Sequence, residues 1–175
     1  MQAGLRFGRV PAPLMTMSET RTRVEPEIRW EDVYREVGPR LQRALLLYTG
    51  DPDLAEDAAA EAFAQGIRRG AAIRDPGAWV WRAAFRIAAG RLKDRSRTAG
   101  RLPETVYHPP ESVRDLVVAL GELSPAQRAS VVLHDYAGYP ASEIASIIGS
   151  TAPAVFVHLS RARKRLRTLL EVDDA

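Results

Sequence analysis

Residues 138–171 read GYPASEIASIIGSTAPAVFVHLSRARKRLRTLLE, and this stretch decides the fold. Pro140 opens a short helical pattern that stops at Gly149, where a residue without Cβ can take the left-handed turn that closes a helix. Thr151 can cap a second helix over 152–171, on which Val155, Leu159, Ala162, Leu166 and Leu169 share one face. Ile144, Ala145 and Ile148 supply the matching apolar face of the short helix, with Ala145 small enough for close approach. Two helices joined by a tight turn, the second held outward, make a helix-turn-helix. Five of the seven residues in RARKRLR, 161–167, are basic and extend the second helix where phosphate neutralisation is wanted. An αα-hairpin with a solvated basic face is the plain alternative.

Working outward, Ser124-Pro125-Ala126-Gln127 is a helix start, with Ser as cap, Pro in the first position and Gln closing a capping box. Its helix carries Val131, Val132 and Tyr136 to about Ala137, in a group that begins near Val113. Residues 98–112, TAGRLPETVYHPPES, hold three prolines and no periodicity, which reads as a linker. Before it, Asp75-Pro76 starts a helix to about Arg97 with two apolar stripes. One stripe is Trp79, Ala83 and Ile87; the other is Trp81, Phe85, Ala88 and Leu92. Asp53 with Glu56 resembles a capping box opening an Ala-rich helix that Gly70 ends near Arg69. Trp30, Val33, Val37, Leu41, Leu45 and Tyr48 mark a first helix, which Gly38-Pro39 is predicted to kink or divide. Residues 1–26 lack periodicity and read as a flexible tail, with Met15 and Met17 as alternative starts. No strand pattern appears. The expected fold is all-α: two small helical domains, 27–97 and 113–175, joined by a flexible linker over 98–112, the second ending in the helix-turn-helix. Their relative placement is expected to be set mainly by partners.

At 46% hydrophobic and 27% charged, 175 residues can bury cores. No apolar run approaches the ~20 residues that span a bilayer, and no apolar stretch of a signal peptide comes after Arg6 and Arg9. The lack of cysteine excludes disulfides and Cys-based zinc sites. A cytoplasmic setting with no membrane partner is expected. All but two of the 25 basic residues are arginine, the lysines being Lys93 and Lys164. Arginine forks onto phosphates and guanine edges, but a G+C-rich genome gives the same bias, so placement must decide. From Glu27 to Glu61 there are nine acidic residues against four basic; from Arg82 to Arg97, six basic against one acidic. Trp79 and Trp81 head this basic helix, and aromatics beside cations suit an opened DNA strand. Their places on apolar stripes equally suit a core. His108, His134 and His158 are scattered, with no phosphate loop or nucleophile arrangement, and Asp53, Glu56, Asp57 and Glu61 lack a second ligand-bearing helix. No catalytic residue, metal or cofactor is expected.

The segments GPRLQRALLLYTGDPDLAEDAAAEAF (38–63), AWVWRAAFRIAAGRLKDR (78–95), LSPAQRASVVLHDYAGYPASEIASIIGS (123–150) and SRARKRLRTLLE (160–171), in this order, resemble the extracytoplasmic-function (ECF) sigma factors of bacterial RNA polymerase, in the sigma-70 family. The resemblance implies that 30–97 acts like region 2, gripping the polymerase clamp and opening the −10 element. It implies that 113–171 acts like region 4, docking on the −35 element. Glu56, Asp57 and Glu61 fall on the clamp-gripping helix, though acids near a helix start also complement its dipole. The loop Gly70 to Asp75 corresponds to one that captures a flipped base. Trp81, Arg82, Arg86 and Lys93 match the helix facing the −10 strand, with Arg91 projecting from another side. In the −35 reader the corresponding residues are Thr151, Pro153, Ala154, Phe156, Val157, His158, Ser160, Arg161, Lys164 and Arg165. The chain departs from the family pattern at Ala60, Arg86 and Gly90, and most clearly at Ala154 to His158, where threonine, valine, lysine, serine and arginine are common. The promoter sequence is therefore not carried over. Core RNA polymerase and promoter DNA are the implied partners, with an anti-sigma factor as a further candidate. The alternative is a sigma-like DNA- or protein-binding regulator without initiation activity.

Overall fold

The computed structural model describes residues 28–99 and 111–173; the expected tail and the middle of the expected linker lie outside them. Seven α-helices carry the described residues: α1 Trp30–Thr49, α2 Pro52–Arg69, α3 Pro76–Ala99, α4 Glu111–Gly121, α5 Pro125–Val131, α6 Ala141–Ile148 and α7 Ala152–Asp173. No strand occurs among them. α1 runs unbroken through Gly38-Pro39. A proline forfeits one backbone hydrogen bond, and here the burial of Leu41, Ala44, Leu45 and Tyr48 on one face outweighs that loss. α2 starts two residues earlier than the capping-box reading. Asp51, not Asp53, is its cap, accepting from the Leu54 N–H at 2.9 Å, and Pro52 occupies the first turn. Gly70 closes it at φ 55°. Asp75 caps α3 through the Ala78 N–H at 2.9 Å. α3 reaches Ala99 and α4 begins at Glu111, so helix enters the expected linker from both ends. The Ser124–Gln127 capping box opens α5 as the sequence predicts, and a π-helical turn over Val132–Tyr136 extends it.

The two helical groups are not left to their partners for placement. One apolar cluster runs from Leu41 through Trp81 and Phe85 to Ile144, Val155 and Leu159, with α3 packed on α6. Across the seam, the rings of Trp81 and Tyr139 lie 5.8 Å apart. Arg40 donates to the Tyr136 carbonyl at 2.6 Å and lies 5.6 Å over the Tyr136 ring. Burial, with Glu143 assisting, pushes the Tyr139 hydroxyl up to about 12. The physical reason for the joined arrangement is the second stripe of α3, which would otherwise face water. Removing one such side chain from water is worth about 1.5–3 kcal/mol.

Candidate nucleic-acid and polymerase interfaces

The left-handed Gly149, at φ 67°, turns α6 into α7. Thr151 then accepts from the Ala154 N–H at 3.3 Å. Val155, Leu159 and Ala162 are buried, the first two in one cluster with Ile144, Ala145 and Ile147 of α6, which holds the other face of α7 outward. Thr151, Pro153, Phe156, Val157, Ser160, Arg161, Lys164 and Arg165 are exposed, with Ala154 and His158 half-buried beside them. Phe156 is 61% and Val157 45% exposed, so no contact within the described chain accounts for these apolar groups. The fold divides the basic run. Arg163 turns back to Asp135, its Nε at 3.2 Å, and this bond leads the interactions that hold the Asp135 carboxyl below the usual carboxylate range. Arg165 reaches Glu122 at 3.8 Å. Arg161, Lys164 and Arg167 have no carboxylate partner among the described residues.

On α2, Ala55, Ala58, Ala59 and Ala62 are buried, which leaves Glu56 and Asp57 exposed and Glu61 half-buried. Glu61 accepts from Gln65 at 2.7 Å and from Arg68 at 3.1 Å. Those bonds, Gln65 first, hold its carboxyl below the usual range. Asp57 accepts from Arg91 of α3 at 2.7 Å. Arg91, expected among the −10 contacts, therefore sits beside the acidic face of α2. Glu56 forms no ion pair among the described residues.

Trp81, expected among the −10 contacts, is a core residue: only 5% exposed, it stacks on Phe85 and meets Tyr139. Arg82 is half-buried, and Arg86 and Lys93 are exposed. The aromatic near the surface is Trp79, over which the Arg69 guanidinium lies 5.7 Å from the ring centroid. A cleft of about 180 Å³ separates the end of α2, with Gln65 and Arg69, from Trp79, Arg82 and Arg86 of α3. Sequence reading missed Gln65 and Arg69, because an arginine pair ending a helix reads as dipole complementation. In the connecting loop Ile73 is buried and Asp75 serves as a cap, leaving Arg74 outward. Among the described residues no group of three or more His, Cys, Asp or Glu is placed to hold a metal ion, and no single helix is long and apolar enough to cross a membrane.

The family model for sigma-70 region 4 matches residues 114–166. The ECF RNA polymerase sigma factor SigE of Mycolicibacterium smegmatis is 29% identical over 162 residues, covering 81% of this chain and 61% of that protein. SigJ of Mycobacterium tuberculosis, also an ECF sigma factor, is 30% identical over 134 residues, 66% of this chain and 43% of its own length. The chain thus spans less than two thirds of these curated relatives. The SigJ crystal structure matches with a TM-score of 0.61 at 26% identity, over 78% of this chain and 53% of that one. The fold is also that of the sigma factor RpoE in complex with the anti-sigma factor NepR from Bartonella quintana, with a TM-score of 0.72 at 24% identity over 82% of this chain and 98% of that one. With relatives spanning both helical groups, a region 4 match over the second and the shared helical architecture, the chain is similar to the ECF sigma factors of the sigma-70 family.

Proposed function

We propose that the protein is a transcription initiation factor that carries core RNA polymerase to promoter DNA and assists its opening. It acts in the cytoplasm, where its template lies, and without catalytic residues of its own. Residues 27–97 form the unit for the polymerase clamp and −10 strand, and 113–175 the unit for the −35 element. The observation that carries this reading is the separation of charge by helix. The acids Glu56, Asp57 and Glu61 line α2, while Arg82, Arg86 and Lys93 lie on α3 and Arg161 and Lys164 on α7. Carboxylates on α2 suit basic groups of a protein partner, and cations on α3 and α7 suit phosphates. An anti-sigma factor is a further partner, supported by the relative RpoE having been solved in complex with NepR. In vitro transcription with core polymerase on a genomic promoter library tests the proposal. Start sites are expected that appear only when the protein is added. An unchanged start-site map, with no polymerase retained by the immobilised protein, would refute it.

A further inference from the structure

Arg163 stands on α7 among residues that face outward. Ser160 lies one turn before it, Phe156 two turns before and Arg167 one turn after, all exposed and at spacings that share a helix flank. Its own guanidinium turns away to the π-helical turn over Val132–Tyr136. There Nε lies 3.2 Å from one carboxylate oxygen of Asp135, and Nη2 donates to the other. Nη2 also lies 3.2 Å from Nδ1 of His134, which is 2.7 Å from the same carboxylate. Two N–H donors on two oxygens are also the contact by which arginine takes a phosphate. Asp135 therefore holds an edge of Arg163 that a DNA backbone could use. Both residues are exposed. Ion pairs in that setting add little to a fold, and the burial of Val155, Leu159 and Ala162 already seats α7. The pair contributes little as a clasp and is well placed as a competitor, a fixed carboxylate set against DNA phosphates. Arg161, Lys164 and Arg167 have no such competitor among the described residues.

We infer that Asp135 withholds Arg163 from DNA and so keeps the affinity of α7 one phosphate contact below what its basic run could reach. The inference rests on the proposed role of α7 as a DNA-contacting helix, and it adds to that role an affinity-setting residue outside the helix. The full chain is titrated with a labelled DNA duplex of randomised sequence between about 50 and 200 mM salt. Circular dichroism verifies the fold of each variant. Each phosphate contact steepens the fall of affinity with salt by a log–log slope of about 0.9. Asp135→Asn is expected to bind more tightly than wild type and to steepen the slope by about that amount. Its advantage should then shrink roughly three- to fourfold across the salt range. Arg163→Ala should keep the wild-type slope, and in the double variant the gain from Asp135→Asn should vanish. Lys164→Ala should flatten the slope by about one. Three results overturn the withholding while the DNA-contacting role of α7 stands, each read with Lys164→Ala flattening the slope. Asp135→Asn leaves binding unchanged or weakens it, as a merely structural pair would; or it tightens binding equally without Arg163; or Arg163→Ala alone flattens the slope by about one. If the wild-type chain binds no duplex, or no variant changes the slope, both are overturned.

Discussion

Arg128 is a buried cation with no carboxylate beside it. Only 4% exposed, it donates to the carbonyls of Tyr48 at 3.1 Å, Gly121 at 2.8 Å and Leu123 at 3.2 Å. Tyr48 and Gly121 lie at the C-terminal ends of α1 and α4, where carbonyls lack intrahelical partners. A lysine carries the charge but not the planar fork. Arg128→Lys should therefore cost about 2–4 kcal/mol, several lost bonds to a charged donor, read as a lower urea midpoint at unchanged slope. An unmoved midpoint would contradict this role. Nothing local in PAQRASV marks Arg128 for it, because one carbonyl lies 80 positions away. Asp51 shows the opposite situation, an error of two residues in a local motif. Asp53 had the better box partner in Glu56, but Pro52 is preorganised for the first helical turn and places the cap before itself. Asp51 also pairs with Arg95. Burial pushes its carboxyl up, but the Leu54 N–H and Arg95 outweigh this and leave it below the usual range. A depressed folded value stabilises above the unfolded pKa of about 3.9 and is lost as pH falls through the folded value. Asn caps as well as Asp, so Asp51→Asn removes mainly the ion pair. The stability gap between wild type and variant should be largest near neutral pH and close below about pH 4. A gap constant with pH in urea titrations would rule this out.

At the scale of the element, α7 is the helix the sequence described best. Its buried face follows from 3.6-residue periodicity, and Val155, Leu159 and Ala162 are inside as that period requires. The division of its basic run was not legible, since Arg163 finds Asp135 on the π-helical turn after α5. α3 falls between these cases. Its two stripes told of two packing neighbours, but not that the second would be α6 and that Trp81 would be buried in the seam. Exposed Val157 can meet thymine methyls in the major groove, whereas the unpaired Lys164 offers only charge. Val157→Ser is accordingly expected to change base preference at a thymine-bearing −35 position. Lys164→Ala should weaken all sites alike and lower the salt slope by about one. A binding screen over randomised −35 sequences separates them, and an unchanged profile for Val157→Ser removes that residue from base readout.

For the whole molecule, the separate helical groups of the sequence become a joined body because contacts such as Trp81–Tyr139 and Arg40–Tyr136 link distant positions. Urea unfolding should follow one transition by both circular dichroism and tyrosine absorbance. A double-mutant cycle with Trp81→Leu and Tyr139→Leu should give a coupling of about 0.5–1.5 kcal/mol, the range for aromatic pairs. Strict additivity would show that the seam is open in solution. The place of Trp81 in that seam has an optical consequence. An indole shielded from water emits at shorter wavelength than a hydrated one, and the other tryptophans, Trp30 and Trp79, are both only half-buried. With both replaced by phenylalanine, the remaining emission reports the parting of the two groups as a red shift, so the protein carries its own dye-free gauge of opening when polymerase, DNA or an inhibitor is added.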